Sequence, residues 1–387
     1  MKITIVGAGP VGLLAACLLS RRHRVTVLDK RTESTRSHSL NISSETISVI
    51  NDYIGEDQDH NIIYLKNLLY RWIHNNSNYV DTIEIETKLS EIAMEMGVTI
   101  RRGVNVDSME IINNMDANVI IGADGAKSKI RSLVFNDELV DTHNVQYMVQ
   151  LKYQTPGSTR PRRNISAIGY SCLNGLSGSD MVLDFESLAP PNDSLRKSGT
   201  LHIPVPRSIY EILSANNRGT YSMPWSIDEL ATINNQQIAK LVRIIGRYHF
   251  SLKWRGGWLE NPAITVIPLN IYRSADVVRI LPTNKLVMLV GDSSSGLVFE
   301  RGLNKGWLET VKCVETLSAS TPNELILALT EYSHHCMLLY EKERDQILLK
   351  HNKLTSSNKA ISATGLVATS CLTLLIGGLL TTKMTDM

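Results

Sequence analysis

The sequence predicts an α/β fold made of a Rossmann-like dinucleotide-binding domain, a mixed-sheet domain inserted into it, and a C-terminal helical and apolar tail. Three observations carry this expectation. A buried-strand pattern at Lys2 to Val6 passes through a Gly-rich turn into a helical pattern at Pro10 to Ser20 and a second strand at Arg24 to Leu28. Continuous apolar strands return at Asn118 to Ile121 and at Leu286 to Val290, each followed by a turn rich in Gly and Asp. Between about Gln146 and Ser274 the texture is mixed, with strand-like runs, Pro and Gly turns, and one helical pattern from Ile227 to Tyr248.

These observations divide the chain into a nucleotide domain at 1–145 and 275–320, an inserted domain at 146–274, a C-terminal helix at 321–359 and an apolar segment at 360–382. A helix at 81–96 belongs to the first domain, because Ile85, Leu89, Ile92, Ala93 and Met96 share one face. Asp81 with Glu84 reads as a capping box, and Gly97 as its stop. Further helical patterns lie near 303–318 and 323–350.

With 387 residues, 43% of them hydrophobic, the chain can bury a sizeable core. A formal net charge of +2 provides no broad basic field, which argues against nucleic acid as a partner. Cys17, Cys172, Cys313, Cys336 and Cys371 are odd in number and include no C-x-x-C, so neither a disulfide framework nor a zinc cage is expected. The cysteine pattern leads us to expect a reducing compartment, and the first residues form a strand pattern without the order of a signal peptide, so nothing there directs export.

"IVGAGPVG" contains the first chemical motif. Gly7, Gly9 and Gly12 form G-x-G-x-x-G between a strand and a helix, and Pro10 and Val11 open that helix beside a pyrophosphate-sized turn. Asp29 ends the second strand where an acid would accept ribose hydroxyls, with Lys30 and Arg31 directly after it. "GDSSSG" lacks the G-x-S-x-G order of a nucleophile elbow, and His334, His335 and Cys336 are adjacent on a helical pattern and so diverge. Trp254 and Trp258, flanking Arg255-Gly256-Gly257, either line a substrate pocket or anchor the core.

"VIIGADGAKSKIR" with Asp124-Gly125, and "LVGDSSSG" with Gly291-Asp292, resemble the two later fingerprints of FAD-dependent monooxygenases of the hydroxybenzoate hydroxylase fold. The resemblance covers about 1–135 and 265–320, with three motifs in order. It implies FAD as cofactor, NADPH or NADH as transient co-substrate, and O₂. Asp124-Gly125 would lie near the dinucleotide, Gly291-Asp292 at the ribityl chain, and the N–H groups of Gly302, Leu303 and Asn304 at the flavin pyrimidine edge. Arg36, in "TRSHSLNIS", would approach the cofactor, and His38 either lies near the flavin or is structural. Phe299, Glu300 and Arg301 would sit beside the ring system, Arg301 either binding an anion or remaining a surface cation.

"IEIETKLSEIAMEMGVTI" and "IYRSADVVRILPTNKLVMLVGDS" are similar to the MICAL branch, whereas the overall plan with an apolar tail is similar to kynurenine monooxygenase. The chain departs from the pattern at Ser293, Ser294 and Ser295, where many members have histidine and proline in a longer loop.

The expected activity is oxygenation of a small molecule or a protein side chain by an FAD-dependent monooxygenase. The alternatives are an FAD reductase or oxidase without oxygen insertion, and an interaction protein that keeps the fold without turnover. No catalytic base is assigned. The uncharged segment 360–382 is expected to anchor the catalytic part to the cytoplasmic face of a membrane, since a helix of that length at ~1.5 Å per residue would cross a bilayer core. Lys350, Lys353 and Lys359 precede that segment and Lys383 follows it.

Overall fold

The computed structural model describes residues 1–33, 39–74, 79–156, 185–188, 196–254, 256–298, 301–319 and 321–349. The chain forms two compact units, Met1–Asn144 with Leu269–Arg344, and Val145–Pro268 with Asp345–Met387. The fold is mixed α/β, with a largely parallel Rossmann-like sheet in the first unit and an antiparallel sheet associated with the second.

In the first unit, β1 (Lys2–Val6), α1 (Pro10–Ser20) and β2 (Arg24–Asp29) form the expected βαβ start. The short β3 (Ser39–Asn41), α2 (Ser44–Ile54), α3 (His60–His74), β4 (Tyr79–Asp81) and α4 (Thr82–Glu95) lead to β5 (Thr99–Arg102). Next come α5 (Met109–Asn114), β6 (Val119–Gly122) and α6 (Lys129–Phe135). After the second unit the chain returns through β11 (Val278–Ile280), β12 (Leu286–Leu289), β13 (Ser295–Gly296), α10 (Arg301–Thr316) and α11 (322–349).

The six-stranded sheet has the order β11-β12-β6-β1-β2-β5 and is parallel except where β11 pairs antiparallel with β12. Ile5 lies opposite both Val27 and Ile121, and Ile121 opposite Met288, so the central strands bury side chains on both faces and read as continuous apolar runs. Chain order runs outward from β1 through β2 to β5 and then restarts at β6 on β1's other side. That reversal opens a crevice at the carboxyl ends of β1 and β6. Helix α1 packs against both α4 and α10, which explains why "LLAACLL" is buried almost all round.

Asp81 does stand at the N-cap of α4 but makes no side-chain cap hydrogen bond. Glu84 instead accepts from the indole Nε1 of the buried Trp72 at 3.0 Å, a partner that a buried tryptophan requires. Gly97, with φ of +82°, ends the helix, its N–H bonding to Met94 O and that of Val98 to Ala93 O.

The second unit carries most of β7 (Leu139–Pro156), then β8 (Phe185–Leu188), β9 (Arg196–Val205), α7 (Arg207–Ser214), α8 (Ile227–Thr232), α9 (Gln236–Trp254) and the start of β10 (Glu260–Ser274). The five-stranded sheet has the order β13-β10-β7-β9-β8. Val149, Leu151 and Tyr153 of β7, with Leu201 and Ile203 of β9, pack on Ile209 and Leu213 of α7 and on Leu241, Ile245 and Tyr248 of α9. The helix expected over Ile227 to Tyr248 is two helices. Asn235 breaks it because its side-chain oxygen accepts from Gln237 N at 2.8 Å and Ile238 N at 3.2 Å, and this local cap competes with a continuous helix.

Among the described residues no helix is long and apolar enough to cross a membrane. The segment 360–382 lies outside the described residues.

A Cβ on Gly7 would overlap the Ala123 carbonyl, and φ there is +114°, whereas Gly246 is exposed in α9 with nothing within 4 Å of an added Cβ. Urea denaturation should therefore show Gly7→Ala losing about 1–3 kcal/mol and Gly246→Ala gaining roughly 0.5–1 kcal/mol. Equal effects at the two positions would contradict the close approach.

Candidate functional site

The Gly-rich turn sits at the β1/β6 crevice. Gly7 N–H bonds to Leu28 O at 2.7 Å, and a Cβ on Gly12 would collide with the Gly7 carbonyl, so the backbone closes on itself and leaves no space for side chains. Gly9 is the N-cap of α1 and Pro10 its first residue. The first intrahelical bond is Leu13 N to Gly9 O at 2.9 Å, so the α1 ladder leaves the Val11 and Gly12 N–H groups directed at the helix start, where an anion is favoured.

Two glycine-bearing segments close on the partly buried Val11. A Cβ on Gly291 would lie 3.2 Å from Val11, and one on Gly306 would lie 2.7 Å from Val11 and 3.0 Å from Gly291 Cα. Trp307 Nε1 donates to Pro10 O at 3.2 Å and seals the seam between α1 and α10. The Asn304 side chain accepts from Ser43 N and donates to Asn41 O, both at 2.9 Å, which fixes the start of α10 to the segment after β3.

Asp29 is only 5% exposed and is surrounded by donors. One carboxylate oxygen accepts from Ala8 N at 2.7 Å and an Arg31 guanidinium nitrogen at 3.0 Å, and the other from Arg31 N at 2.7 Å and Arg31 Nε at 3.1 Å. Arg31 also contacts the fully buried Glu86 at 3.3 Å. Burial works against the Asp29 charge, but the Arg31 and Ala8 donors outweigh it and hold the carboxyl below its usual range. Lys30, beside them, is exposed.

Asp124 caps α6. Its carboxylate accepts from the Ser128 hydroxyl at 2.5 Å and from Lys129 N at 2.6 Å, while Gly125 turns with φ of +84°. The sequence reading assigned no role to Arg131, which is buried and donates to Ala126 O at 2.9 Å and Ser293 O at 3.2 Å. Tyr272 reaches the same two turns, donating to Ala126 O at 3.1 Å and Asp292 O at 3.0 Å. Burial, and then the Asp292 carboxylate, push the Tyr272 phenol up to about 12, so it remains a donor. Arg131 and Tyr272 thereby join the Asp124-Gly125 and Gly291-Asp292 segments.

The Gly291-Asp292 turn rests on buried charge. Lys305 and Glu309 on α10 form an ion pair at 2.6 Å, with side chains 1% and 0% exposed. Glu309 accepts from Gly291 N at 2.7 Å and from the Ser294 hydroxyl at 2.8 Å, and Lys305 donates to Ser295 at 2.6 Å. Ser293 bonds Val290 O at 2.6 Å. Of the three serines that stand where many members have histidine and proline, Ser294 and Ser295 are thus structural partners of this pair, and Ser293 ties the turn back to Val290. Nothing in sequence spacing marks it, because an i,i+4 Lys–Glu pair ordinarily reads as a solvated face.

Gly302 and Leu303 are buried in the first turn of α10. Arg301 is ion-paired with Glu343 of α11, and its side chain remains about one-third exposed at 34%. Trp258 is 45% exposed and donates to Glu260 at 2.9 Å, so it does not line an enclosed pocket. His334, His335 and Cys336 lie on α11, and among the described residues no group of side chains could hold a metal ion. Arg36, His38, Phe299, Glu300 and Arg255, and the Trp254 side chain, lie outside the described residues.

Replacing Lys305 by Met leaves Glu309 buried without its cation and should cost about 3–5 kcal/mol in chemical denaturation. Lys305→Met combined with Glu309→Met should lose less than Lys305→Met alone. A single variant as stable as the parent would show that the pair contributes nothing to the turn.

Residues 5–47 match the family described as NAD(P)-binding Rossmann-like domain. No curated protein matches the chain. Among solved structures, CtdE in complex with FAD and a substrate is 13% identical with a TM-score of 0.58, over 89% of this chain and 88% of that one. The oxygenase for 2-methyl-3-hydroxypyridine-5-carboxylic acid is 12% identical with a TM-score of 0.55, over 92% of each chain. CabE, an aromatic hydroxylase from angucycline biosynthesis, is 16% identical with a TM-score of 0.53, over 93% of this chain and 72% of that one. With its Rossmann-like start and antiparallel second sheet, the chain has the fold shared by CtdE, which was solved with FAD, by the pyridine-carboxylic acid oxygenase and by the aromatic hydroxylase CabE.

Proposed function

We propose that the protein is an FAD-dependent monooxygenase that takes electrons from NADPH or NADH and inserts oxygen from O₂ into a small molecule or a protein side chain. The observation that carries this reading is the close approach of Gly291 and Gly306 to Val11 of the Gly7–Gly12 turn, where a Cβ on Gly7, Gly12 or Gly306 would overlap neighbouring atoms and one on Gly291 would lie 3.2 Å from Val11. Such a cradle fits the extended body of FAD. The cofactor supplies the redox and oxygen chemistry when bound.

The chain's own groups bind and orient it in this reading. The Val11 and Gly12 N–H groups receive the pyrophosphate, and Asp29 exchanges an Arg31 or Ala8 bond for the ribose, with Lys30 and Arg31 beside it; Arg36 enters on the resemblance alone. Asp124-Gly125 shapes the crevice, and Asp292 meets the ribityl chain. The start of α10 at Gly302, Leu303 and Asn304 faces the pyrimidine edge, where a helix N-terminus favours negative charge.

A reductase or oxidase without oxygen insertion is the second reading, and the third is an interaction protein that keeps the FAD fold without turnover, which Ser293–Ser295 in place of the histidine and proline of many members favours. The protein should bind FAD non-covalently, and NADPH or NADH should bleach it in stopped-flow absorbance, followed by oxygen uptake. Bleaching that returns only hydrogen peroxide with every substrate offered favours the second reading. A folded protein that takes up no FAD sinks the first two.

The apolar segment 360–382 enters this reading as a membrane anchor on composition alone. Full-length protein should stay with carbonate-washed membranes, and a chain ending at Lys359 should be released with its FAD. Full-length protein already in the wash, or loss of FAD on truncation, removes the anchor from the reading.

A further inference from the structure

Helix α9 carries charge that the cofactor reading does not use. From Leu230 to Leu259 the chain has no Asp or Glu, yet it has Lys240, Arg243, Arg247, Lys253 and Arg255. The formal net charge of the whole chain is only +2, so the rest of it is net negative and this one stretch gathers the positive charge. Within α9, Ile238, Leu241, Ile245, Tyr248 and Leu252 enter the core of the second unit. Lys240, Arg243, Arg247 and Phe250 recur three and four residues apart and so share the opposite face. Arg243 and Lys253 are exposed, and Phe250 is 62% exposed at the end of that row of cations. Gly256 N bonds Lys253 O and Gly257 N bonds Leu252 O, both at 3.0 Å, which closes the helix. Trp258 follows at 45% exposure, its indole Nε1 held by Glu260 at 2.9 Å.

A solvated helix face ordinarily mixes both signs, because opposite charges three or four residues apart attract and like charges repel. Arg243 is three residues from Lys240 and four from Arg247, so this face accepts repulsion, and it exposes an aromatic ring beside the cations. Both features suit a surface that is anionic at its polar boundary and apolar beneath, where headgroups meet the cations and rings enter the acyl boundary. An acidic protein surface would answer the cations alone. The end of the chain has a second feature that suits the same surface, with Lys350, Lys353 and Lys359 ahead of the uncharged segment 360–382.

We propose that the outer face of α9, with Phe250 and Trp258, docks on an anionic lipid bilayer. Lys240, Arg243 and Lys253 meet the headgroup charges, and Phe250 enters the boundary between headgroups and acyl chains. This adds a surface contact to the function proposed above and requires no span across the bilayer.

The test is co-sedimentation of full-length protein with phosphatidylcholine vesicles, with and without phosphatidylserine, at low and high salt. Phosphatidylserine should tighten binding about tenfold or more at low salt, and high salt should erase the gain. Lys240→Gln, Arg243→Gln and Lys253→Gln together should remove it, at about fivefold per cation. Phe250→Ser should weaken binding to the anionic vesicles and leave the salt dependence as it was. Arg22→Gln with Arg24→Gln, two exposed cations of the first unit, should keep the preference. The thermal midpoint and FAD uptake should be the same in every variant. If the triple variant does not fold, Arg243→Gln alone carries the comparison. Equal binding to both vesicles, a preference that survives the triple variant, or an equal loss from the Arg22 and Arg24 pair overturns the proposal. So does capture on polyglutamate beads that is as tight as on the anionic vesicles and indifferent to Phe250→Ser, since that identifies an acidic protein as the occupant. Absence of FAD uptake in every form sinks the cofactor reading and leaves the vesicle comparison intact.

Discussion

The carboxylate of Glu309 is the point on which the first unit's functional end is hung. It has no exposure to water, yet it bonds the Gly291 N–H, the Ser294 hydroxyl and the Lys305 ammonium. A buried carboxylate is tolerated only when its lone pairs are filled, so the shape of the Gly291 turn and the position of α10 are set by one electrostatic requirement. Val11, Gly306 and Gly291 then meet at contact distance because α10 cannot shift without breaking that set of bonds. A proline can stiffen a turn through covalent geometry. Here buried charge and three serine hydroxyls do so instead.

The parts of the fold set by periodicity and by glycine were legible in the sequence. Gly7 stood out because its turn needs a φ of +114° and Gly12 because its helix packs too close for a Cβ, and the β1-α1-β2 start follows from a change of apolar period. The parts set by competition between partners were not. Asp81 and Glu84 have capping-box spacing, but Trp72, distant in sequence and adjacent in space, takes the Glu84 carboxylate. Asn235 interrupts a pattern whose apolar residues would have allowed one long helix. Lys305 with Glu309, and Arg131, resemble surface charges until the chain is folded around them, because a sequence window carries spacing but not burial.

The β2 end shows a different compromise. Asp29 is placed where an acid would meet ribose, yet its four acceptor positions are filled by Ala8 and Arg31, and Arg31 is in turn tied to Glu86. The acid is thus pre-oriented and pre-charged, at the cost of bonds that any incoming hydroxyl has to displace. Affinity at such a position is a difference between two sets of hydrogen bonds and is smaller than the geometry of either set suggests.

The position of β12 between β6 and β11 bears on how the chain is made. Strand β6 ends at Gly122 and its neighbour β12 begins at Leu286, after the 145–268 part of the second unit. At ~5–20 residues per second, a ribosome leaves the apolar edge Val119–Ile121 without its partner for roughly ten to thirty seconds. An unpaired hydrophobic edge is a template for pairing with other chains. The nascent protein therefore carries that edge unpaired during an interval fixed by the topology alone.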